Sequence, residues 1–538
     1  MIPIVFFKEA FKYLAYDVKG IQKYIFLVPK LKCIVGGSQQ IDQFDQESRK
    51  TDGNIYAGGG RGLFEVSDEN IDARKKELLK RAQALGLDLR LGTGENAPTT
   101  EANDLYPFRP EMFAATFPCA LSGAYPVKNP GETHPVVKAR MDAQKIREWD
   151  HRHFECCRID PEAEKVFAGK VGLDSGGLKY VFFHEVDTVT CDEEDKDPAK
   201  AACAALGSRN RWAIVCMDGN DMGRQIGASN KSDTWFCRFS KNLAECTREA
   251  FYFALSCVIN AWLKDCDEKT ARKAIWKEYV ILPFRPLILG GDDVTLLCHS
   301  GYAMEFVKNM AEQFHEISRK KAEAEAFPNI PLWPATGNAL SISAGVLYCK
   351  TTFPLAMAMD YAEKLLASAK GKFRSVSRSG PTPAAVDWDT ITESFVDTPA
   401  ERRRREMWFT DLECGKQIHL TQKPYLLEGA VEGSKSMTLE DLEKNYIAKL
   451  RDEPTSFLNG ILPGLRQSWS QRIAYLASIG KTHSDVKELL WEDDDTHGRW
   501  WDDFSENGKD IRQTAIVDAV SLLSEEHRME QDTAGKER

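Results

Sequence analysis

The chain has 538 residues, 43% hydrophobic and 28% charged, with a net charge of −10, which is ample for roughly three domains of about 150–200 residues each. The acidic balance excludes a protein that grips nucleic acid over its whole surface, because phosphate binding needs a basic footprint. No stretch approaches the ~18 consecutive apolar residues of a membrane span, and Met1–Phe7 lacks the charged lead and cleavage site of a signal peptide, so a cytoplasmic protein without membrane contact is expected.

Tyr13–Val18 has the length and composition of a strand, with Asp17 near its end. A helical region follows through Gln39, Ile41 and Phe44. Asn54–Ala57 and Leu63–Val66 then flank Gly58-Gly59-Gly60-Arg61 as a hairpin. A charged helix over about 70–85 and a strand at Leu87–Leu91 complete the set. Residues 113–205 are irregular and contain Pro and Gly, and Asp187–Lys200 is an acidic surface loop. Trp212–Met217 is an apolar run with the length of a buried strand, ending at Asp218. Phe236, Phe239, Leu243, Cys246, Ala250, Ala254 and Cys257 recur at helical spacing. Pro286–Leu289 and Val294–Cys298 are short apolar runs joined by Gly290-Gly291-Asp292-Asp293, a second hairpin. Phe306, Met310, Phe314 and Ile317 mark another helix, Leu340–Tyr348 another strand, and Pro354 opens a helix to about Lys370.

The order β-α-β-β-α-β is ferredoxin-like, the order of the palm of many polymerases and nucleotide cyclases, and it occurs twice. The predicted fold class is therefore α+β. A first palm-like domain spans 1–112 without turn carboxylates, and an insert spans 113–205. A second palm with the Gly-Gly-Asp-Asp turn spans 206–395, and a helical C-terminal domain spans 396–538.

In such a palm the first strand lies beside the hairpin, so Asp218 faces Asp292 and Asp293. Clustered carboxylates repel one another unless a cation lies between them. Oxygen ligands suit Mg²⁺ or Mn²⁺, which also take substrate phosphates as ligands. Two such ions, about 4 Å apart, can activate a 3′-hydroxyl and stabilise departing pyrophosphate. The expected catalytic residues are Asp218, Asp292 and Asp293, and the expected metal set adds Gly219. Gly290 and Gly291 allow a tight turn and close approach of a nucleotide. The backbone of Gly219, Asn220, Asp221, Met222 and Gly223 is expected to cradle phosphates, and Lys370 to reach them.

Tyr16-Asp17-Val18-Lys19-Gly20-Ile21-Gln22, Tyr56–Gly60, Met217–Gly223, Leu289–Asp293, Ser341–Gly345, Ala362–Lys370 and Leu420-Thr421-Gln422-Lys423-Pro424-Tyr425 stand in order over about residues 10–430. Together they resemble the large subunit of type III CRISPR effector complexes, the CRISPR polymerase–cyclase family. The resemblance implies conversion of ATP into cyclic oligoadenylate second messengers for antiviral defence when target RNA is bound to the complex. It implies one ATP with metals at the Gly-Gly-Asp-Asp palm, near Ser343 and Lys370, and a second nucleotide held by the other palm around Gly58, Gly59 and Gly60. Implied partners are ATP, effector subunits with guide and target RNA, or a downstream effector switched on by the second messenger.

Three departures from the family pattern matter. The chain contains no His-Asp dipeptide, so DNase activity of the family's His-Asp type is not expected. Cys119 is followed by Ser122 where a second cysteine would stand, and Cys156 and Cys157 are adjacent; this counts against a zinc site, which wants four well-spaced ligands. Asn220 stands where a second carboxylate is common. Two other readings follow from the same residues: a non-catalytic nucleotide-binding scaffold subunit, and a dinucleotide cyclase using GTP, although such cyclases usually carry one palm and pair as dimers.

Overall fold

In a computed structural model of the chain, the structure describes residues 11–534 apart from 29, 96–99, 111–116, 123–124, 143–149, 175, 184–197, 208–210, 229–232, 325–330, 337, 377–380, 393–396, 414, 428, 430–436, 469, 473, 476–477, 479–500 and 507–508. Most of the acidic loop at Asp187–Lys200 thus lies outside the described residues.

The first palm comprises β1 (Phe11–Val18), α1 (Leu31–Arg49), β2 (Asn54–Gly58), β3 (Arg61–Ser67), α2 (Ile71–Leu85), β4 (Leu89–Gly94) and β5 (Asp104–Tyr106). Its sheet runs β2-β3-β1-β4-β5 with antiparallel neighbours. The second comprises β6 (Arg211–Gly219), α3 (Asp233–Asp265), β7 (Phe284–Gly290), β8 (Asp293–His299), α4 (Ala303–Ala324), β9 (Ile342–Lys350), α5 (Leu355–Val376), β10 (Ala385–Thr390) and β11 (Tyr425–Leu426). Its sheet runs β7-β8-β6-β9-β10-β11. In both sheets the hairpin lies on one side of the first strand and the last palm strand on the other.

Every residue of β6 except Asp218 is buried, as befits a central strand covered on both faces. Side chains alternate along it. Ala213, Val215 and Met217 join the core under α3 and α4, with Phe251, Phe306 and Phe314. Trp212, Ile214 and Cys216 enter a second core that also takes Leu14, Tyr16 and Val18 of β1, Ile34, Val35 and Phe44 of α1, and Leu365 of α5. The two palms therefore share one core. Gly345 of β9 lets α5 approach: a β-carbon there would lie 2.3 Å from Ala362 O.

Between the palms, Lys179–Phe182 pairs in parallel with Tyr279–Leu282. Asp150 accepts from both terminal guanidinium nitrogens of the fully buried Arg285 of β7, one at 2.8 Å, and Arg285 also donates to Phe182 O at 2.7 Å. Beyond residue 396 the chain is not helical alone. Trp408–Thr410, Gln417–His419, Lys509–Thr514 and Trp501–Glu506 form a four-stranded sheet; these strands are three to six residues long and carry no clear alternation, so local pattern does not reveal them. Buried Asp518, near the start of the last helix, accepts from Thr421 Oγ1 (2.8 Å), Gln422 N (2.8 Å) and Tyr425 OH (2.7 Å). Among the described residues, no helix is long and apolar enough to cross a membrane.

Candidate active site

Three elements bring the acidic residues together. Asp218 sits near the end of β6, and Asp292 and Asp293 at the tip of the β7–β8 hairpin, where Gly290 pairs with Asp293 and Met217 with Val294. Gly291 turns the chain at φ +62°. Asp292 lies over Gly219: a β-carbon on Gly219 would stand 2.9 Å from Asp292 Cβ and 3.0 Å from its Oδ2.

The electrostatics record how close the carboxylates are. Burial pushes the Asp292 carboxyl well above its usual range, and Asp218 and then Asp293 push it further. Crowding by the protein and then the Asp218 charge push Asp293 up to about 7, against the pull of Lys370 and Arg61. Asp293 is itself exposed, so solvent weakens that effect. Lys370, near the end of α5, bonds Asp218 Oδ2 and, at 2.7 Å, Gly219 O.

This arrangement fits a cation in part. The donors are all hard oxygens, and an ammonium already stands on two of the expected ligands, Asp218 and Gly219. Yet among the described residues no group of three or more His, Cys, Asp or Glu side chains closes into a cage for an ion. Asp292 and Asp293 each lie within hydrogen-bonding reach of Asp218.

The first palm presents the same hairpin without the charge conflict. Gly58 pairs with Arg61 as Gly290 pairs with Asp293. Gly59 and Gly60 turn the chain at φ +62° and +76°. Arg61 Nε meets Asp17 Oδ1 at 3.0 Å, so an Asp–Arg ion pair occupies the place of the Asp218–Asp293 repulsion. The two hairpin tips touch: a β-carbon on Gly290 would lie 3.3 Å from Gly59 Cα.

Beside the touching tips opens a cleft of about 870 Å³, with Gly58, Gly59, Gly290, Gly291 and Asp293 in its wall. Five Arg and Lys residues that the sequence reading did not single out also line it: Arg49, Arg152, Arg238, Lys241 and Arg248. Lys241 and Arg248 lie one heptad apart on α3, on the face away from its apolar stripe, a signal that was available. Arg152 lies in the irregular insert, where there was none. Asp45 is another such residue. It is buried under the glycine turn, accepts from Gly60 N (2.8 Å) and Tyr16 OH (2.9 Å), and burial pushes its carboxyl up to about 7.

Other expected nucleotide contacts lie elsewhere. Asn220 is 2% exposed. Its side-chain amide donates to Ser341 Oγ (2.9 Å) and Pro383 O (3.1 Å), and its carbonyl oxygen accepts from Ser343 Oγ (3.1 Å). Its backbone N–H is taken by Ser341 O. Ser343 is fully buried and also accepts from Ala385 N. Asp221 is buried, at φ +60°, and accepts from Thr382 N at 2.6 Å and Thr382 Oγ1 at 3.0 Å. These three form a closed polar network behind Asp218 rather than a phosphate cradle, because the segment 382–385 covers them. Met222 is half-buried beside Gly219, and Gly223 is exposed.

The chain was compared with known proteins. No curated protein matches it. Similar solved structures include a Csm1–Csm4 cassette in complex with cA3 (15% identity, 96% of this chain and 70% of that one, TM-score 0.46). Another is a Csm1–Csm4 cassette in complex with one ATP (12%, 97% and 70%, 0.47). A third is Csm1 of T. onnurineus (14%, 96% and 70%, 0.46). Residues 211–375 match the family described as Cas10/Cmr2, second palm domain. That match spans the palm that holds Asp218, the Gly290–Asp293 turn and Lys370, which is thus similar to the second palm domain of Cas10/Cmr2 proteins.

Proposed function

We propose that the chain is a metal-dependent nucleotidyltransferase that makes cyclic oligoadenylate-type second messengers from ATP, as the large subunit of a type III CRISPR-like effector. The observation that carries this reading is the crowding of Asp218, Asp292 and Asp293 at one end of the Cas10/Cmr2-type palm, where, on top of burial, the Asp218 charge raises the proton affinity of Asp292 and Asp293. Such a cluster is costly unless it serves a cation.

Asp218, Asp292, Asp293 and the Gly219 carbonyl would hold Mg²⁺ or Mn²⁺. Bound there, the metal supplies Lewis-acid activation of a ribose hydroxyl and charge neutralisation at the phosphates. The chain's own groups do the rest. The glycine tips let a nucleotide lie against bare backbone, Lys370 answers phosphate charge, and Arg49, Arg152, Lys241 and Arg248 give the cleft counter-charge for further phosphates. The adenine preference and the partners, namely effector subunits with guide and target RNA, rest on the resemblance seen in the sequence.

The test is incubation of the purified protein with labelled ATP and Mn²⁺ or Mg²⁺, with and without the target-bound complex. Oligonucleotide product that disappears in Asp292→Ala/Asp293→Ala is expected. Product no greater than that of the double variant sinks the reading. The Lys370 contact on Asp218 favours one alternative, a subunit that binds nucleotide without turnover; nucleotide binding with no product under any of these conditions would establish it.

A further inference from the structure

Lys370 holds Asp218 and the Gly219 carbonyl together, and those are two of the oxygens assigned above to the metal. Its ammonium is a compact charge on a flexible four-carbon stem. The next cation, Arg61, is engaged by Asp17 at 3.0 Å. The helix that carries Lys370 is fixed, because its backbone lies against Gly345 with no room for a β-carbon. The side chain can therefore move without the helix. An ammonium and a divalent cation cannot share one pair of oxygens, and at that distance they repel.

Resting on the metal reading above, we propose that Lys370 is a resident counter-ion. It holds the carboxylates in the absence of metal and competes with a divalent cation for Asp218 and Gly219. It passes its charge to the phosphates of the nucleotide that arrives with the metal. The consequence is ordered loading. Metal alone binds poorly, because it must displace an ion pair and leave the ammonium without a partner. Metal with nucleotide binds well, because the phosphates receive the ammonium. Lys370 is thus a positioning residue that ties metal occupancy to substrate.

The experiment titrates the full chain with Mn²⁺ and reads free Mn²⁺ by electron paramagnetic resonance, with and without a non-hydrolysable ATP analogue, after subtraction of the Mn²⁺ that the analogue's phosphates bind in protein-free titrations. In the wild type, the analogue should tighten Mn²⁺ binding at least tenfold. Lys370→Gln should bind Mn²⁺ alone at least tenfold more tightly than the wild type and lose most of the analogue's effect. Lys370→Arg, which keeps the charge, should stay near the wild type without nucleotide. If Lys370→Gln does not fold, Lys370→Ala gives the same readout. Metal-only affinity that is unchanged or weaker in the neutral variants, while Asp292→Ala/Asp293→Ala abolishes binding, overturns the resident counter-ion and leaves the metal site standing. Mn²⁺ binding indifferent to Asp292→Ala/Asp293→Ala overturns the metal site itself, and the counter-ion with it.

Discussion

Asp17 and Asp218 end equivalent strands but meet opposite neighbours. Asp17 meets Arg61 in an ion pair open to solvent, of a kind that contributes little to stability, whereas Asp218 meets two carboxyls and one lysine. Asp45 adds a third environment: a buried carboxyl whose two oxygens accept from Gly60 N and Tyr16 OH. Its proton affinity is raised in the fold to about 7. That contribution to stability is present below the ordinary carboxylate range and is lost as pH rises through about 7. Asp45→Asn keeps the shape and removes the titration, so its stability relative to the wild type should rise between pH 4 and 8, by up to about 4 kcal/mol. Urea melts at pH 5 and pH 8 check this; a gap that does not widen with pH would show that Asp45 titrates normally. The acidic trio was legible because a strand-end Asp and a Gly-Gly-Asp-Asp turn each advertise themselves locally. The roles of Asn220 and Ser343 were not, because Thr382, Pro383 and Ala385 cover them from some 40 residues or more further along the chain.

The two hairpins agree in a detail finer than the glycine turns. Each has a register shift four to two residues before its first turn glycine, between Asn54 and Tyr56 in one and between Pro286 and Ile288 in the other. The bulged residue Leu287 offers its carbonyl to Ser38 of α1, so the first palm's helix grips the irregularity of the second palm's hairpin. Bulges re-aim strands next to functional sites, and this one sets how the acidic turn meets β6. Gly219 is the other fixed point. Gly219→Ala would push Asp292 aside, since its β-carbon would stand 2.9 Å from that of Asp292. We expect ATP turnover to fall at least about a hundredfold, the cost of roughly 1 Å of misplacement, while the circular-dichroism melt shifts by only a few degrees. A variant that turns over ATP normally would mean that Asp292 need not sit over Gly219. The elements themselves were legible from hydrophobic periodicity, but the bulges were not, because a single unpaired residue leaves no periodic trace.

At the scale of the molecule, the shared core of β1, α1, β6 and α5 makes the two palms one structural unit, and the Arg285–Asp150 pair fastens the insert to the strand that leads to the acidic turn. Arg285 is 0% and Asp150 2% exposed. Arg285→Ala leaves a buried carboxylate without its counter-charge, which should cost about 3–5 kcal/mol. Chemical denaturation should show most of that loss recovered in Arg285→Met/Asp150→Leu, where neither charge is buried; a mild single variant would show that water reaches Asp150. The sequence showed two palms in series, but not that they share a core, because no local pattern encodes which face of β6 meets which helix. It also left the C-terminal sheet unseen, since Gln417–His419 pairs with Lys509–Thr514 across some 90 residues.

The contact between Gly59 and Gly290 has an evolutionary corollary. A methyl group acquired at position 290 would press on the backbone of Gly59 at 3.3 Å, whereas one at position 59 would meet the backbone of Gly290 at an ordinary 3.8 Å. Positions 59 and 290, though 231 residues apart, are therefore coupled in one direction: what position 290 can carry is limited by a backbone that belongs to the other copy of the palm.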